Sequence, residues 1–366
     1  MGAGRGATAV LLLVLVASAC GGQAGHSDAT APPVVRAEPS TLPPEPTLSV
    51  RDAGARGDGI TDDSTAFRTA LATAPSGAAV VVPPGRYVLA QELVLLRAGQ
   101  TLALERGSRL LPRATIRIAA PNVTLRGPGA IDEGGAARMG VDVEGAGTLI
   151  DGVEFTSLGR SGYAAFVLVA ANDVRVVRSW FHDSGTDGAI LNTDGGPGLS
   201  RVEFRDDLFE NILRDGIHSK GTNADWRGGL WIPGEEQNTG HRFIDNVFRN
   251  VAQLPSSFSL EVQDGHVDAE IRGNRADATY SIVGQLRAVV VGNTFVGRTR
   301  SWGMEIGNAR DSIISDNVFD VCSTGIVFTG GPDQRNAGNT VRSNTFRSCD
   351  HAISLSWDGG DNDLRE

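Results

Sequence analysis

The apolar and polar positions of the second half of the chain repeat. Between His241 and Asp358 one short segment returns as Phe243-Ile-Asp-Asn-Val-Phe248, Val290-Val-Gly-Asn-Thr-Phe295, Ile314-Ser-Asp-Asn-Val-Phe319 and Val341-Arg-Ser-Asn-Thr-Phe346. Each copy is an apolar position, a polar pair ending in Asn, one residue, then Phe. Glu270-Ile-Arg-Gly-Asn274 is a copy without its Phe. The asparagines, Asn246, Asn274, Asn293, Asn317 and Asn344, are spaced by 28, 19, 24 and 27 residues. A unit this short cannot bury its own core, so its copies must stack.

A second short strand follows each copy: Phe258–Val262, Gly303–Ile306, Gly325–Phe328 and Ala352–Leu355. Upstream, Gly188–Asn192 and Gly216–Lys220 fill the same slot. Short β-rich strands, frequent Gly and a period in the twenties predict a β-solenoid.

The chain opens differently. Arg5 precedes an apolar run from Ala7 to Ala19, too short to span a bilayer and suited to a signal peptide over residues 1–19. The run ends Ala17-Ser-Ala-Cys20-Gly-Gly, which resembles a bacterial lipobox and implies lipidation of Cys20. Cleavage after Ala-x-Ala, releasing a soluble protein, is the alternative. Residues 20–47 are rich in Gly, Ala, Ser and Pro without apolar periodicity, the composition of a tether. The expected location is therefore outside the cell, lipid-anchored or secreted, with the membrane touched by the anchor alone.

The folded domain is expected over residues 48–366. Val50-Arg-Asp-Ala-Gly-Ala-Arg-Gly-Asp-Gly-Ile-Thr-Asp-Asp63 leads into a helix with Ala66, Phe67, Ala70, Leu71 and Ala74 on one face. Asp62, Asp63 or Ser64 caps it, and Ser76-Gly77 ends it. Strand, turn and strand follow over Ala79–Leu89. This opening resembles the rhamnogalacturonase/epimerase-like domain of the pectate-lyase-like superfamily. The resemblance implies an all-β fold, a right-handed single-stranded parallel β-helix with an N-terminal capping helix and an internal ladder of the recurring Asn. The cap makes physical sense, because a bare solenoid end exposes strand edges and core. The same opening precedes lyases, hydrolases, epimerases and phage spikes, so it does not choose the chemistry.

Net charge is -10, from 33 Lys+Arg against 43 Asp+Glu. That balance disfavours nucleic acid as a partner and leaves room for Ca²⁺ between acidic groups and an acidic sugar. Of three cysteines, Cys322 and Cys349 each stand three residues after a repeat Phe. They occupy equivalent places on adjacent rungs, at a separation that a disulfide spans. A stacked pair of reduced thiols is the alternative.

The repeat also serves as a ruler for chemistry. Asp187 and Asp215 each lie six residues after a Phe, so they open equivalent strands. Alternation puts Ile217 and Ser219 inward and His218 and Lys220 outward. The outward stripe continues through Asn192, Asp194, Glu261, Gln263 and Glu305. The long segment after Lys220 carries Trp226 and Trp231, and Trp302 begins the Glu305 strand; their faces suit sugar rings. A solvated polar face, with the tryptophans merely packing the loop, is the plainer reading.

Asp215-Gly-Ile-His-Ser-Lys-Gly221 resembles the Asp-Gly-x-x-x-x-Lys-Gly rung of pectate lyases, one residue shorter and with His218 where that rung has acidic Ca²⁺ ligands. Asn192-Thr-Asp194 resembles the Asn-Thr-Asp of polygalacturonases, without their remaining motifs. Three functions stay open, each with a polysaccharide as partner. A uronate lyase or epimerase would use Lys220, beside His218, as base and hold any Ca²⁺ through Asp194, Glu261 and Glu305. A hydrolase would pair carboxyls, Asp187 with Asp215 or Glu261 with Glu305. A non-catalytic surface protein would bind glycan along the same stripe, through Asn192, Gln263 and the tryptophans.

Overall fold

A computed structural model describes residues 47–160, 164–191, 198–221, 238–330, 336–356 and 362–365, all within the unit Ala37–Glu366. Cys20, the signal run, Asn192, Asp194, Trp226 and Trp231 lie outside the described residues. The chain winds as a right-handed parallel β-helix. One rung serves for all: Arg242–Ile244 lies in a first wall, Val247–Val251 in a second and Leu260–Gln263 in a third. Each strand pairs in parallel with its counterpart on the next rung. Among the described residues the first wall holds 13 strands, and the other two walls together hold 21.

The polar pair of the repeat makes the corner between the first two walls. Its first residue takes a left-handed backbone, as at Asp206 (φ 57°), Asp245 (φ 55°), Gly273 (φ 67°) and Asp316 (φ 58°). Asp, Asn and Gly tolerate that region best, which accounts for the residue types found there. The second residue points inward. Nδ2 of Asn246, Asn274, Asn293 and Asn317 donates to Oδ1 of the next asparagine at 3.0, 3.0, 3.0 and 2.9 Å. The same amides donate to backbone carbonyls of the preceding rung, such as Phe204 and Phe243. A buried amide needs partners, and the stack supplies them.

The ladder also runs upstream of the repeats legible in the sequence. The Asp207 amide donates to Asn246 Oδ1 at 3.0 Å, and Asp207 Oδ1 accepts from the Ser179 amide at 2.7 Å. A carboxyl thus occupies an asparagine position. The repeat Phe residues form the adjoining apolar stack: Phe155, Phe181, Phe209 and Phe248 follow one another at 4.8, 4.7 and 5.1 Å between ring centres.

Ser64–Thr73 is the one helix among the described residues. It buries Phe67, Ala70 and Leu71 in the apolar core, as a cap for the solenoid's first rungs would. Asp63 stands at the N-cap without capping through its side chain; its carboxylate instead accepts the amides of Arg56 and Gly57. The helix stops at Thr73, short of Ser76-Gly77, where Arg97 and Gln100 reach back to the carbonyls of Ala74 and Leu71. Cys322 and Cys349 are in register on adjacent rungs and joined as a disulfide, with Cα atoms 4.4 Å apart.

Candidate active site

The corner between the second and third walls is shaped by Phe against Gly. A Cβ on Gly188 would lie 2.7 Å from the Phe209 ring, and one on Gly216 would lie 2.6 Å from the Phe248 ring. Only glycine lets the strand pass over the aromatic stack. Gly216 and Ile217 both face the core at this corner, and from Ile217 onward alternation along the strand Ile217–Lys220 brings His218 and Lys220 out. Ile217 and Ser219 face the core, both fully buried. In register, His218 meets Glu261, which is followed by Ser281, Glu305, Val327 and Ser354 on later rungs.

Four of the expected residues come together. His218 Nδ1 lies 2.5 Å from Glu261 Oε2 and 3.2 Å from Asp215 Oδ2. The other oxygen of Glu261 faces Lys220 Nζ at 3.6 Å. The other oxygen of Asp215 accepts the Phe258 amide at 2.6 Å. Behind them, Asp187 Oδ1 accepts the Asp215 amide at 3.0 Å and meets Arg214 Nε at 3.5 Å. Asp187, Asp215, His218 and Glu261 are buried, whereas the Lys220 side chain keeps 34% of its surface. Lys220 is the accessible end of a buried chain of acid and base groups.

Burial and pairing compete within this chain. Burial alone would push His218 down, but its bonds to Asp215 and Glu261 outweigh that and hold it up at about 9. Burial pushes Glu261 up, yet His218 and Lys220 bring it below the ordinary glutamate range. Asp215 is raised by burial against the pull of His218. Asp187 is pushed up to about 7, first by burial and then by the charge of Asp215. For His218 the stability is complete below the ordinary 6.5 and is lost as the pH rises through about 9. His218→Gln should therefore cost more stability at about pH 6 than at about pH 10 in paired urea titrations. An equal cost at both would remove the imidazolium from the site.

The remaining expected residues sit apart from this chain. Glu305 is two rungs from Glu261, with Ser281 between them. Its carboxylate accepts from Ser281 Oγ at 2.9 Å and Thr329 Oγ1 at 3.0 Å, while Gln263 Nε2 donates to Ser281 at 2.7 Å. Glu261 and Glu305 therefore form no joint cation site among the described residues. The group that converges is Asp215, His218 and Glu261, whose donor atoms lie within 4.8 Å of one another. Two carboxylates with an imidazole nitrogen do not fit Ca²⁺, which takes six to eight oxygens; such a donor set suits a transition metal. Trp302 stands 44% exposed at the start of its strand.

Two signals escaped the pattern. Asp264, raised by burial against the pull of the Lys220 charge, is a further carboxyl beside the lysine. More tellingly, Lys220 is the chain's only lysine: the other 32 of its 33 basic residues are arginine. Pooling Lys with Arg into one charge count hides this.

The comparisons fit this architecture. Residues 47–102 match the family model described as rhamnogalacturonase A/epimerase, pectate lyase-like. No curated protein sequence matches the chain. Among solved structures, the chain is similar to PfbA, a surface adhesin of Streptococcus pneumoniae, at 15% identity and a TM-score of 0.54, covering 85% of this chain and 94% of that one. It is also similar to the A-module of the mannuronan C-5 epimerase AlgE6 of Azotobacter vinelandii, at 16% identity and a TM-score of 0.52, covering 87% and 99%. At these identities the likeness is one of fold.

Proposed function

Starting from a chain with the pectate-lyase-like parallel β-helix fold, we propose that it is an extracellular enzyme of acidic polysaccharides. In this reading it is a uronate lyase or epimerase in which Lys220 removes the proton α to the sugar carboxylate. The observation that carries the reading is the single lysine. Arginine fills all 32 of the other Lys/Arg positions in this chain, but it cannot give up its proton at ordinary pH, whereas an amine can. Lys220 also sits where a base is useful, accessible itself and backed by buried groups.

In the step proposed, the free amine of Lys220 takes the C5 proton and the C–H electron pair passes into the carboxylate as an enediolate. Breaking the bond from C4 to the glycosidic oxygen then leaves an unsaturated uronate, with the departing oxygen taking its proton from water or from the Lys220 ammonium formed in the first step. Returning a proton to the opposite face would instead give the epimer. His218 is a positioning residue here, because its Nδ1 is committed to Asp215 and Glu261; it fixes the carboxylate that faces Lys220. The paired-carboxyl hydrolase has less support, since Asp187 and Asp215 are both sealed from solvent. The fold neighbours include a surface adhesin and an epimerase, so binding without turnover is the outcome the test must separate. The apolar run that follows Arg5 and the lipobox-like sequence at Cys20 support a placement outside the cell on a lipid anchor.

The purified domain should be incubated with a panel of polyuronates and followed by the near-ultraviolet absorbance of unsaturated uronate ends. A parallel set in deuterated water reports exchange at C5. A signal from one substrate that disappears in Lys220→Ala is the expected result. Retention of a polyuronate with neither absorbance nor exchange would leave a binding protein.

A further inference from the structure

The corner that carries Asp215 contains a notch a few rungs further on, and connection lengths create it. The turn from the second to the third wall runs from Ala252 to Ser259 on one rung and from Asp277 to Thr279 on the next. It lengthens again, from Gly297 to Ser301, on the rung after that. Two long connections thus stand on either side of a short one. The space between them is a cleft of about 420 Å³, with Asp277, Ala278 and Thr279 as its floor and Phe258, Arg300 and Trp302 on its sides.

The lining has a definite chemical character. Trp302 is 44% exposed, and its backbone is pinned by Thr279 Oγ1, which donates to its carbonyl at 2.7 Å. Arg298 is fixed into the wall by Asn250 Oδ1 at 2.7 Å and Asp277 at 3.3 Å. Arg300 remains 60% exposed, and its ion-pair partner among the described residues, Asp350 at 2.5 Å, is also half in solvent. The rim is otherwise mostly hydroxyls of Ser and Thr. An exposed indole, a set of hydroxyls and an accessible guanidinium match a pyranose, which offers C–H groups on its faces and oxygens around its edge.

The position is informative too. Asp215, Phe258, Ala278 and Trp302 occupy one register row, two residues before the paired Ile217, Leu260, Tyr280 and Met304. Trp302 therefore stands three rungs from Asp215, roughly 14 Å along the solenoid at the spacing of adjacent strands. Phe258 links the two places, since its amide caps Asp215 while its side lines the cleft.

We propose that this notch is a distal sugar subsite, where one pyranose of an acidic polysaccharide chain stacks on Trp302 and turns its carboxylate toward Arg300. The ligand class rests on the function proposed above, but the subsite itself is tested by binding and does not require turnover. Calorimetric titration with hexagalacturonate, hexamannuronate and neutral maltohexaose would be run on the protein and on Trp302→Ala and Arg300→Ala. Lys220→Ala would serve as the inactive parallel. Trp302→Ala is expected to weaken binding of the responding acidic oligomer about tenfold. Arg300→Ala is expected to reduce the preference for the acidic over the neutral oligomer. Trp302 is exposed, so both variants should melt with the parent, which thermal unfolding checks. Unchanged binding in Trp302→Ala overturns the subsite even if Lys220 proves essential for turnover. Failure of the parent to bind any of the three oligomers overturns it as well. Absence of turnover together with Trp302-dependent binding keeps the subsite and removes the lysine base.

Discussion

Lys220→Arg is expected to abolish most turnover, lowering kcat on the responding polyuronate by roughly 10²–10⁴-fold, the usual contribution of a general base. The substitution is chosen because it keeps the charge. An arginine can still pair with Glu261 across the 3.6 Å that separates the lysine from it, and the buried His218 bridge stays intact. Stability and substrate retention should therefore change little, while the capacity to accept a proton is lost. The two roles proposed for this residue type separate cleanly. If Lys220 only attracts a carboxylate, arginine does the same and often better, and the rate falls within a few-fold of the parent. Steady-state kinetics beside a thermal melt and a binding titration give the answer, and an active Lys220→Arg enzyme would end the case for a base. The chain with arginine at 32 of its 33 basic positions makes this a natural comparison, since its environment already accommodates guanidinium elsewhere.

The second large effect is one of stability. Asp207→Asn is expected to stabilise the fold at neutral pH by on the order of 1–3 kcal/mol, the cost of a buried polar atom left without a partner. Asp207 sits in the asparagine ladder, and its Oδ2 is buried with no hydrogen bond. By the register of the later rungs, an amide there would donate to the Val176 carbonyl and to Asn246 Oδ1, as Asn246 itself does to Phe204 and Asn274. Burial pushes the Asp207 carboxyl well above the ordinary 3.8, opposed by its bonds to the backbone of Ser179 and Arg205. Asp206 adds to the rise, and Arg178 opposes it. The sign follows from proton binding. The folded state holds the proton more tightly, so wild-type stability declines as the pH rises from the unfolded carboxyl range through the raised folded value. Asparagine does not titrate. The advantage of Asp207→Asn should therefore be small near pH 4 and grow toward pH 8 in urea unfolding. A variant no more stable than the parent at pH 8 would show that the ladder gains nothing from an amide at this rung.

Much of the fold was legible because strands stack with fixed offsets. The spacing between Phe and the next strand placed Asp187 with Asp215 and turned His218 and Lys220 to one face, and the structure gives the same register. Glu261 was placed on that face too. What the pattern could not supply was depth. Periodicity distinguishes inward from outward but not covered from open, so nothing in it foretold that Asp215, His218 and Glu261 lie buried while Lys220 remains accessible. Nor could it separate Glu305 from Glu261 by their partners, because the intervening Ser281 belongs to a rung whose repeat has lost its Phe. Asp207 was missed for a related reason. The ladder was read from Asn, and a protonated carboxyl imitates the acceptor half of an amide without sharing its letter. The single lysine was visible from the start and was concealed only by counting charge rather than chemistry.

The uneven turns at the outer corner have a consequence for how such a protein can be altered. Register is carried by the three walls, the asparagine ladder and the Phe stack, and none of these passes through the connection from Asp277 to Thr279. Residues inserted there would fill the cleft without shifting a single strand pair, whereas one residue inserted into a strand would reverse every side chain after it. The shape of this surface can therefore be redrawn by splicing turns of different length onto an unchanged stack, with each graft judged one rung at a time.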